Sequence, residues 1–175
     1  IKLEKIAFEK FGLAAMSHRA GVFEMQSILP PIIKYGLTFL FVQNEFGLCC
    51  PVSMTDSLTR TLKKFGDERL ITKFFDQLTS QDLDELFQGA MFMTEQHAGS
   101  DVGSIDTIAE NIDGEWYLTG DKWFCSNPDA DLAMVLARYD KNTKGTRGLS
   151  LFLLPKKLEN GQPNNYEIIR LKDKL

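Results

Sequence analysis

The sequence predicts an α+β fold, with an all-α helical domain over residues 1–89 followed by a small antiparallel β-barrel domain over residues 90–175. Three observations carry this expectation. In the first half apolar residues recur at three- and four-residue steps, the period of a helix. After about residue 89 they gather into short β-rich runs bounded by turn-forming residues. Helices also precede strands instead of alternating with them, which separates an α+β chain from one built of βαβ units.

The first helix is expected in EKIAFEKFGLAAM (residues 4–16), and Pro30-Pro31 separates it from the next. YGLTFLFVQNEFGL (35–48) carries Leu37, Leu40, Phe41 and Val42, apolar around most of a turn, as in a well-buried helix. SLTRTLKKF (57–65) and ERLITKFFDQL (68–78) follow, with Leu58, Leu62, Phe65, Leu70, Phe74 and Leu78 at helical steps. Gly66 reads as the break between these two helices and Asp67 as the N-cap of the second. GAMFM (89–93) is the first strand. SIDTIAENI (104–112) and EWYLTG (115–120) flank Asp113-Gly114, a dipeptide suited to a two-residue hairpin turn. KWFC (122–125), LAMVLAR (132–138) and LSLFLLP (149–155) complete the strands, separated by SNPDAD and the polar loop DKNTKGT.

Composition removes several function classes. With 175 residues, 43% of them hydrophobic, the chain can bury a core, and its net charge of −4 is no footprint for a phosphate backbone. No run approaches the roughly 18 apolar residues of a membrane span, and no secretory signal is visible. Cys49, Cys50 and Cys125 form neither a disulfide framework nor a CxxC metal pair, which suits a reducing, cytoplasmic setting. His18 and His97 are the only histidines and have no metal-ligand spacing, so no metal site is expected. His18 reads as a surface or helix-end residue, and His97 as a surface loop residue. Neither a GxGxxG fingerprint nor a GxSxG elbow occurs. GEWYLTGDK fails as a phosphate loop, because its glycine spacing is one residue too long and Trp123 stands where a magnesium-binding Ser or Thr belongs. A chain that opens on Ile1 and stops after LKDKL reads as a piece of something longer.

Two stretches stand out, MTEQHAGSD (93–101) and GDKWFCSNPDAD (120–131). In each, an apolar run ends in a cluster of hydroxyls and backbone donors. Two readings fit these residues. One is ordinary turn chemistry, with Ser100 and Asp101 capping a turn and Asn127-Pro128 starting another. The other is a site for a planar, polyphosphate-bearing cofactor, with loop donors serving the phosphates and apolar walls receiving the ring.

In order and spacing the two stretches resemble the flavin-dependent acyl-CoA dehydrogenase family, whose motifs read approximately TEPxAGSD and then GxKxWITN. The matching residues are Thr94-Glu95, Ala98-Gly99-Ser100-Asp101, Gly120, Lys122, Phe124, Ser126 and Asn127, with Gln96 in place of proline, Phe124 of tryptophan and Ser126 of threonine. KWF before Ser126 and Pro128, LAMVLAR, the GLS preceding LFLLP, RLKDKL and the upstream LCCPVSMT look most like the alkylation-response (AidB-like) branch. The resemblance implies an N-terminal helical domain, a middle β-barrel domain and a C-terminal helical bundle that is absent from this chain.

It also implies an FAD-dependent oxidoreductase acting on the CH–CH group of an acyl-CoA thioester, with an electron-transfer flavoprotein as acceptor and a homo-oligomeric assembly. The implied cofactor-binding residues are Met91, Met93, Thr94, Gly99, Ser100, Phe124 and Ser126. Met91 to Met93 would run beside the flavin ring, Thr94 would bond its pyrimidine end, and Ser126 would stand near N5. Phe124 would pack where the family has tryptophan. Ser100 would lie near the pyrophosphate and also contact substrate CoA, and Gly99 would let the backbone approach a ligand. Glu95 is read as fixing its loop. Cys125, alternating with Ser126, would point into the barrel. No catalytic base is assigned, because the family's carboxylate belongs to the C-terminal domain. The alternative within the resemblance is a DNA-associated protective flavoprotein with little turnover.

Overall fold

A computed structural model describes residues 2–173, so Lys174 and Leu175, the end of the RLKDKL stretch, lie outside the described residues. The chain divides into two compact units, residues 1–90 and residues 91–175. The first unit is helical. A single α-turn, α1 (Lys2–Glu4), runs on as a π-helical turn over Lys5–Lys10. It stops short of the expected residue 16 because Gly12 takes a left-handed conformation, φ +54°. There is no room for a side chain: a Cβ on Gly12 would lie 2.9 Å from both Val22 and Gln81. The chain then folds back through turns, and Ala7, Phe8, Leu13, Ala14, Ala15, Met16 and Val22 become the centre of the helical core.

Helix α2 (Pro31–Val42) starts with proline at its first turn, where the missing N–H costs nothing. Only Phe41 and Lys34 are fully buried on it, and Leu37 is half-buried. Ile32, Tyr35, Phe39 and Leu40 are exposed, so the well-buried helix expected here buries one stripe and leaves the rest of its apolar surface open. The stripe at 34, 37 and 41 has the spacing of a single helix face.

Helix α3 (Cys49–Phe65) buries Val52, Thr55, Leu58, Thr59 and Leu62. Its two buried threonines satisfy their hydroxyls on the helix itself, donating to the carbonyls of Pro51 and Thr55 at 2.7 and 2.8 Å. Phe65, expected on the same face, is exposed. Gly66 ends the helix, and the Asp67 carboxylate accepts from Leu70 N–H at 2.8 Å to cap α4 (Glu68–Leu78).

A charged cluster lies inside this unit. Asp56 on α3 accepts from His18 Nε2 at 2.8 Å and from Lys34 Nζ at 2.7 Å, while the His18 and Lys34 side chains are each only 4% exposed. His18 is therefore not the surface residue its isolation in the sequence suggested. Its partner stands 38 positions away, beyond the reach of local pattern.

Strands follow. β1 (Gly89–Phe92), β2 (Ile108–Ile112), β3 (Glu115–Thr119), β4 (Leu132–Arg138) and β5 (Leu149–Pro155) form one sheet, in the order β1-β4-β2-β3 with β5 on β4. The β2–β3 hairpin turns on Asp113 (φ +53°) and Gly114 (φ +92°), the double positive φ of a type I′ turn. β4 and β5 pair antiparallel from Leu132↔Pro155 to Arg138↔Leu149. β4 is the most buried strand, its apolar run matching a strand covered on both faces.

This sheet departs from the antiparallel barrel that was expected. β2 joins β4 in parallel through Ile108↔Arg138, and the pairings form an open, branched path. β3 hydrogen-bonds to β2 alone, and four of its five residues are exposed. KWFC is not a strand either, since Phe124 has φ +54°, which ladder pairing does not accept. Among the described residues no helix is long and apolar enough to cross a membrane.

The Asp56 cluster yields a prediction. Burial pushes the Asp56 carboxyl up, but hydrogen bonds and charge from His18 and Lys34 outweigh it and hold the group below its ordinary value. Its stabilising contribution is then fully present above the unfolded carboxylate pKa of about 3.9 and is lost as pH falls through the lower folded value. Asp56→Ala leaves the buried Lys34 ammonium without its carboxylate and is expected to cost about 3 kcal/mol at pH 7, read from urea unfolding. An unchanged urea midpoint would exclude the cluster as a source of stability.

Candidate functional site

Three segments of the second unit converge on one side chain. The segment after β1 makes a tight turn in which Glu95 and Ala98 exchange backbone bonds, N–H to O at 3.0 and 3.2 Å. That turn directs the Glu95 side chain inward, where the residue is 4% exposed. One carboxylate oxygen accepts from Asp106 N–H at 2.6 Å. The other accepts from Thr107 N–H at 3.0 Å, from the Thr107 hydroxyl, and from Lys122 Nζ at 2.9 Å. Lys122, its side chain 8% exposed, also donates to the Met93 carbonyl at 3.1 Å. The next residue completes the junction, Trp123 N–H donating to Thr94 O at 2.8 Å.

Desolvation alone would raise the Glu95 pKa. The hydrogen bonds from Lys122, the Thr107 hydroxyl and the Asp106 and Thr107 amides reverse this and bring it down to about 2. Glu95 is therefore a permanent carboxylate with its acceptor capacity occupied. It fixes the loop and cannot take up a proton near neutral pH.

Gly120 is the steric condition for this arrangement. A Cβ there would stand 2.5 Å from Thr107 Oγ1 and 2.7 Å from Thr107 Cα, so the two backbones meet only because the residue is glycine. Farther along, Arg138 Nη2 donates to Gly103 O at 2.6 Å and Nη1 to Thr143 O at 2.8 Å, tying the 101–104 turn to the loop after β4. Lys156 Nζ holds the Asp129 carbonyl at 2.7 Å, anchoring the 126–131 turn.

The residues singled out in the sequence fall into three groups. Met91, Met93, Thr94 and Ser126 are half-buried at the two junctions. Neither the Thr94 nor the Ser126 hydroxyl has a hydrogen-bond partner among the described residues. The Thr55, Thr59, Thr79, Thr107 and Thr143 hydroxyls, by contrast, are each committed to a carbonyl or carboxylate. Gly99 and Ser100 lie exposed beside a 3-10 turn (Val102–Ser104). That turn is capped by Asp101, which accepts from Gly103 N–H and Ser104 Oγ, the turn chemistry anticipated for this aspartate. Gly99 has no positive φ, and a Cβ on it would meet Thr94 Cγ2 at an ordinary 3.6 Å.

Phe124 is 72% exposed, edge-on to Trp123 at 5.8 Å and beneath the Lys172 ammonium at 5.7 Å. Asn127 (φ +53°) opens the turn closed by Ala130 N–H to its carbonyl, also as anticipated. Because residues 122–125 are not a strand, the alternation that placed Cys125 opposite Ser126 does not apply. Cys125 is half-buried, and burial pushes its thiol up.

Sequence reasoning missed the roles of Lys122 and Thr107. The available signal was electrostatic: a glutamate directly after an apolar strand needs a cation, and Lys122 was the one inside the paired motif. His97 does have a partner, the exposed Asp106 carboxylate at 3.2 Å. Glu95, His97 and Asp106 bring ligand atoms within 4.8 Å of one another, but Glu95 already faces the Lys122 ammonium, which repels a metal cation.

Two measurements test this junction. The Glu95 shift from 4.5 to about 2 corresponds to roughly 3 kcal/mol of stability above pH 4.5, lost as pH falls from there toward 2. A pH series of urea midpoints should show that decline, and Glu95→Gln should flatten it. Gly120→Ala drives a methyl into Thr107 and is expected to lower stability by about 1–3 kcal/mol in the same assay.

Comparison with known proteins places the chain. The family model "Acyl-CoA dehydrogenase, middle domain" matches residues 90–175. Acyl-CoA dehydrogenase family member 11 of Caenorhabditis elegans is 43% identical over 146 residues, covering 78% of this chain and 24% of that protein. Putative acyl-CoA dehydrogenase AidB of Escherichia coli is 37% identical over 150 residues, covering 78% of this chain and 26% of that protein. The crystal structure of Caenorhabditis elegans ACDH-11 in complex with C11-CoA superimposes with a TM-score of 0.80 at 34% identity, over 99% of this chain and 30% of that one. This chain thus spans about a quarter of the length of the curated relatives it matches. With the middle-domain match, these relatives and the paired junctions in agreement, the chain belongs to the acyl-CoA dehydrogenase family.

Proposed function

We propose that the protein to which this chain contributes is an FAD-dependent oxidoreductase that dehydrogenates an acyl-CoA thioester between its α and β carbons. The observation that carries the reading is the pair of half-buried, uncommitted hydroxyls, Thr94 and Ser126, in two segments joined by the Trp123–Thr94 backbone bond. Where the Thr55, Thr59, Thr79, Thr107 and Thr143 hydroxyls are committed within the chain, these two positions keep a donor and an acceptor for something else. That fits an isoalloxazine ring, which carries hydrogen-bonding edges and an apolar face.

In this reading Thr94 bonds the pyrimidine end of the flavin, Ser126 stands near N5, and Met91 and Met93 run beside the ring. Phe124 supplies an aromatic contact. Gly99 and Ser100, exposed in their loop, serve the pyrophosphate, and Ser100 also the CoA of the substrate. When bound, FAD accepts the β-hydride of the acyl group. The chain's own part is to hold and polarise the ring. Glu95 is not the base that removes the α-proton, because it is buried, its oxygens are already bonded, and a pKa of about 2 makes it a very weak base. The electron acceptor of the reading is an electron-transfer flavoprotein, and the assembly a homo-oligomer.

The second reading is an AidB-like flavoprotein associated with DNA, the alternative within the sequence resemblance; the similar protein AidB is itself named a putative acyl-CoA dehydrogenase. The net charge of −4 over these residues weighs against it.

The test uses the full-length protein, mixed anaerobically with short, branched and long acyl-CoAs while flavin absorbance is followed. Bleaching by one acyl class is expected. A colourless protein that takes up no added FAD would remove the proposal. Absence of bleaching with every acyl-CoA, combined with duplex affinity that falls steeply with salt, would favour the DNA reading. Ser126→Ala is expected to shift the flavin potential or slow its reduction with the fold intact, whereas Ser100→Ala is expected to weaken FAD or acyl-CoA binding instead.

A further inference from the structure

Among the described residues, Lys122 is the one side chain that bonds both the carbonyl preceding Thr94 and the carboxylate following it. Its ammonium lies 3.1 Å from Met93 O and 2.9 Å from Glu95 Oε1, and Thr94 stands between those two residues. On the other side, Lys122 is followed directly by Trp123, whose N–H is given to Thr94 O, and it stands four residues before Ser126. Both partners are more than nine-tenths buried as side chains.

A buried ion pair is a weak source of net stability, because desolvation offsets much of the attraction. What such a pair does supply is geometric definition, since an ammonium with two fixed acceptors in a dry site has few alternative positions. Glu95 extends that definition to a third segment through the amides of Asp106 and Thr107.

We propose that Lys122 and Glu95 are a positioning pair for the flavin contacts: their buried contact sets the register between the segment carrying Thr94 and the segment carrying Ser126, without either side chain touching the ring. This rests on the flavin reading above. The requirement is for a cation that reaches Met93 O and Glu95 together. A neutral residue at 122 leaves the Glu95 carboxylate buried with two amides and the Thr107 hydroxyl but no cation, and the Met93 carbonyl without its Lys122 donor.

The experiment compares the full-length protein with Lys122→Met, with the double variant Lys122→Met/Glu95→Gln, and with Asp56→Ala as a destabilised control in the helical unit. Lys122→Met is expected to weaken FAD binding by at least about tenfold, to change the flavin spectrum, and to speed hydrogen exchange in the 120–126 segment. The double variant, with no orphaned charge, is expected to recover stability relative to Lys122→Met but not FAD affinity, because the donor to Met93 is still missing. Asp56→Ala is expected to lose stability while keeping FAD affinity and spectrum. A purely structural role would move stability and affinity together, and that outcome overturns the proposal.

Wild-type FAD affinity, spectrum and exchange in Lys122→Met also overturn it, while leaving the flavin reading in place. An unmodified protein that takes up no FAD overturns both. Should Lys122→Met fail to fold, the double variant decides alone, with wild-type affinity counting against the proposal and at least about tenfold loss counting for it.

Discussion

A carboxylate that leaves water must find its hydrogen bonds and its counter-charge inside the protein, and Glu95 meets that constraint with three segments at once. Its two oxygens collect two backbone amides, one hydroxyl and one ammonium. Each donor has to be within about 3 Å, so the turn after β1, the backbone at 106–107 and the stretch at 122–123 have little freedom relative to one another. The absence of a side chain at Gly120 is part of the same arrangement, since any Cβ would hold the last two segments apart. A loop fixed in this way holds Thr94 in a defined place, and the Trp123–Thr94 backbone bond joins it to the stretch that leads to Ser126.

The sheet carries this junction. β4 is buried along most of its length and is the strand on which β1, β2 and β5 all pair. Where β4 ends, Arg138 spends its guanidinium on the carbonyls of Gly103, Thr143 and Gly145, so the turn beside Ser100 is tied to the sheet by charge-assisted bonds. In the helical unit a comparable economy operates around Asp56, where one carboxylate neutralises Lys34 and takes a bond from His18. In both units the buried charges are clustered around a carboxylate.

Family membership and site chemistry bear on each other through Glu95. A glutamate inside this motif invites assignment as a base, yet a group whose pKa is brought down to about 2 and whose oxygens are fully bonded has no appetite for a proton at neutral pH. Its bonds make it a support for the loop that follows β1. The curated relatives are about three times the length of this chain, so most of their residues lie outside the part matched here.

The sequence by itself determined the order of helices before strands, the Asp67 cap, the Asp113-Gly114 hairpin and the turns at Asp101 and Asn127, because each of these is a local preference of a few adjacent residues. It also carried the family, through side chains whose identity matters more than their surroundings. Only the tertiary structure decided that His18 is buried against Asp56, that Lys122 belongs to Glu95, that α2 leaves much of its apolar surface open, and that the sheet is mixed and unclosed. The two ion-pair contacts join residues 38 and 27 positions apart, and no periodicity encodes such a meeting. The missed end of the first helix and the missing strand at 122–125 have a more local cause. Gly12 and Phe124 each take a positive φ, which glycine permits but does not announce and which phenylalanine rarely adopts, so neither break was visible in the apolar pattern.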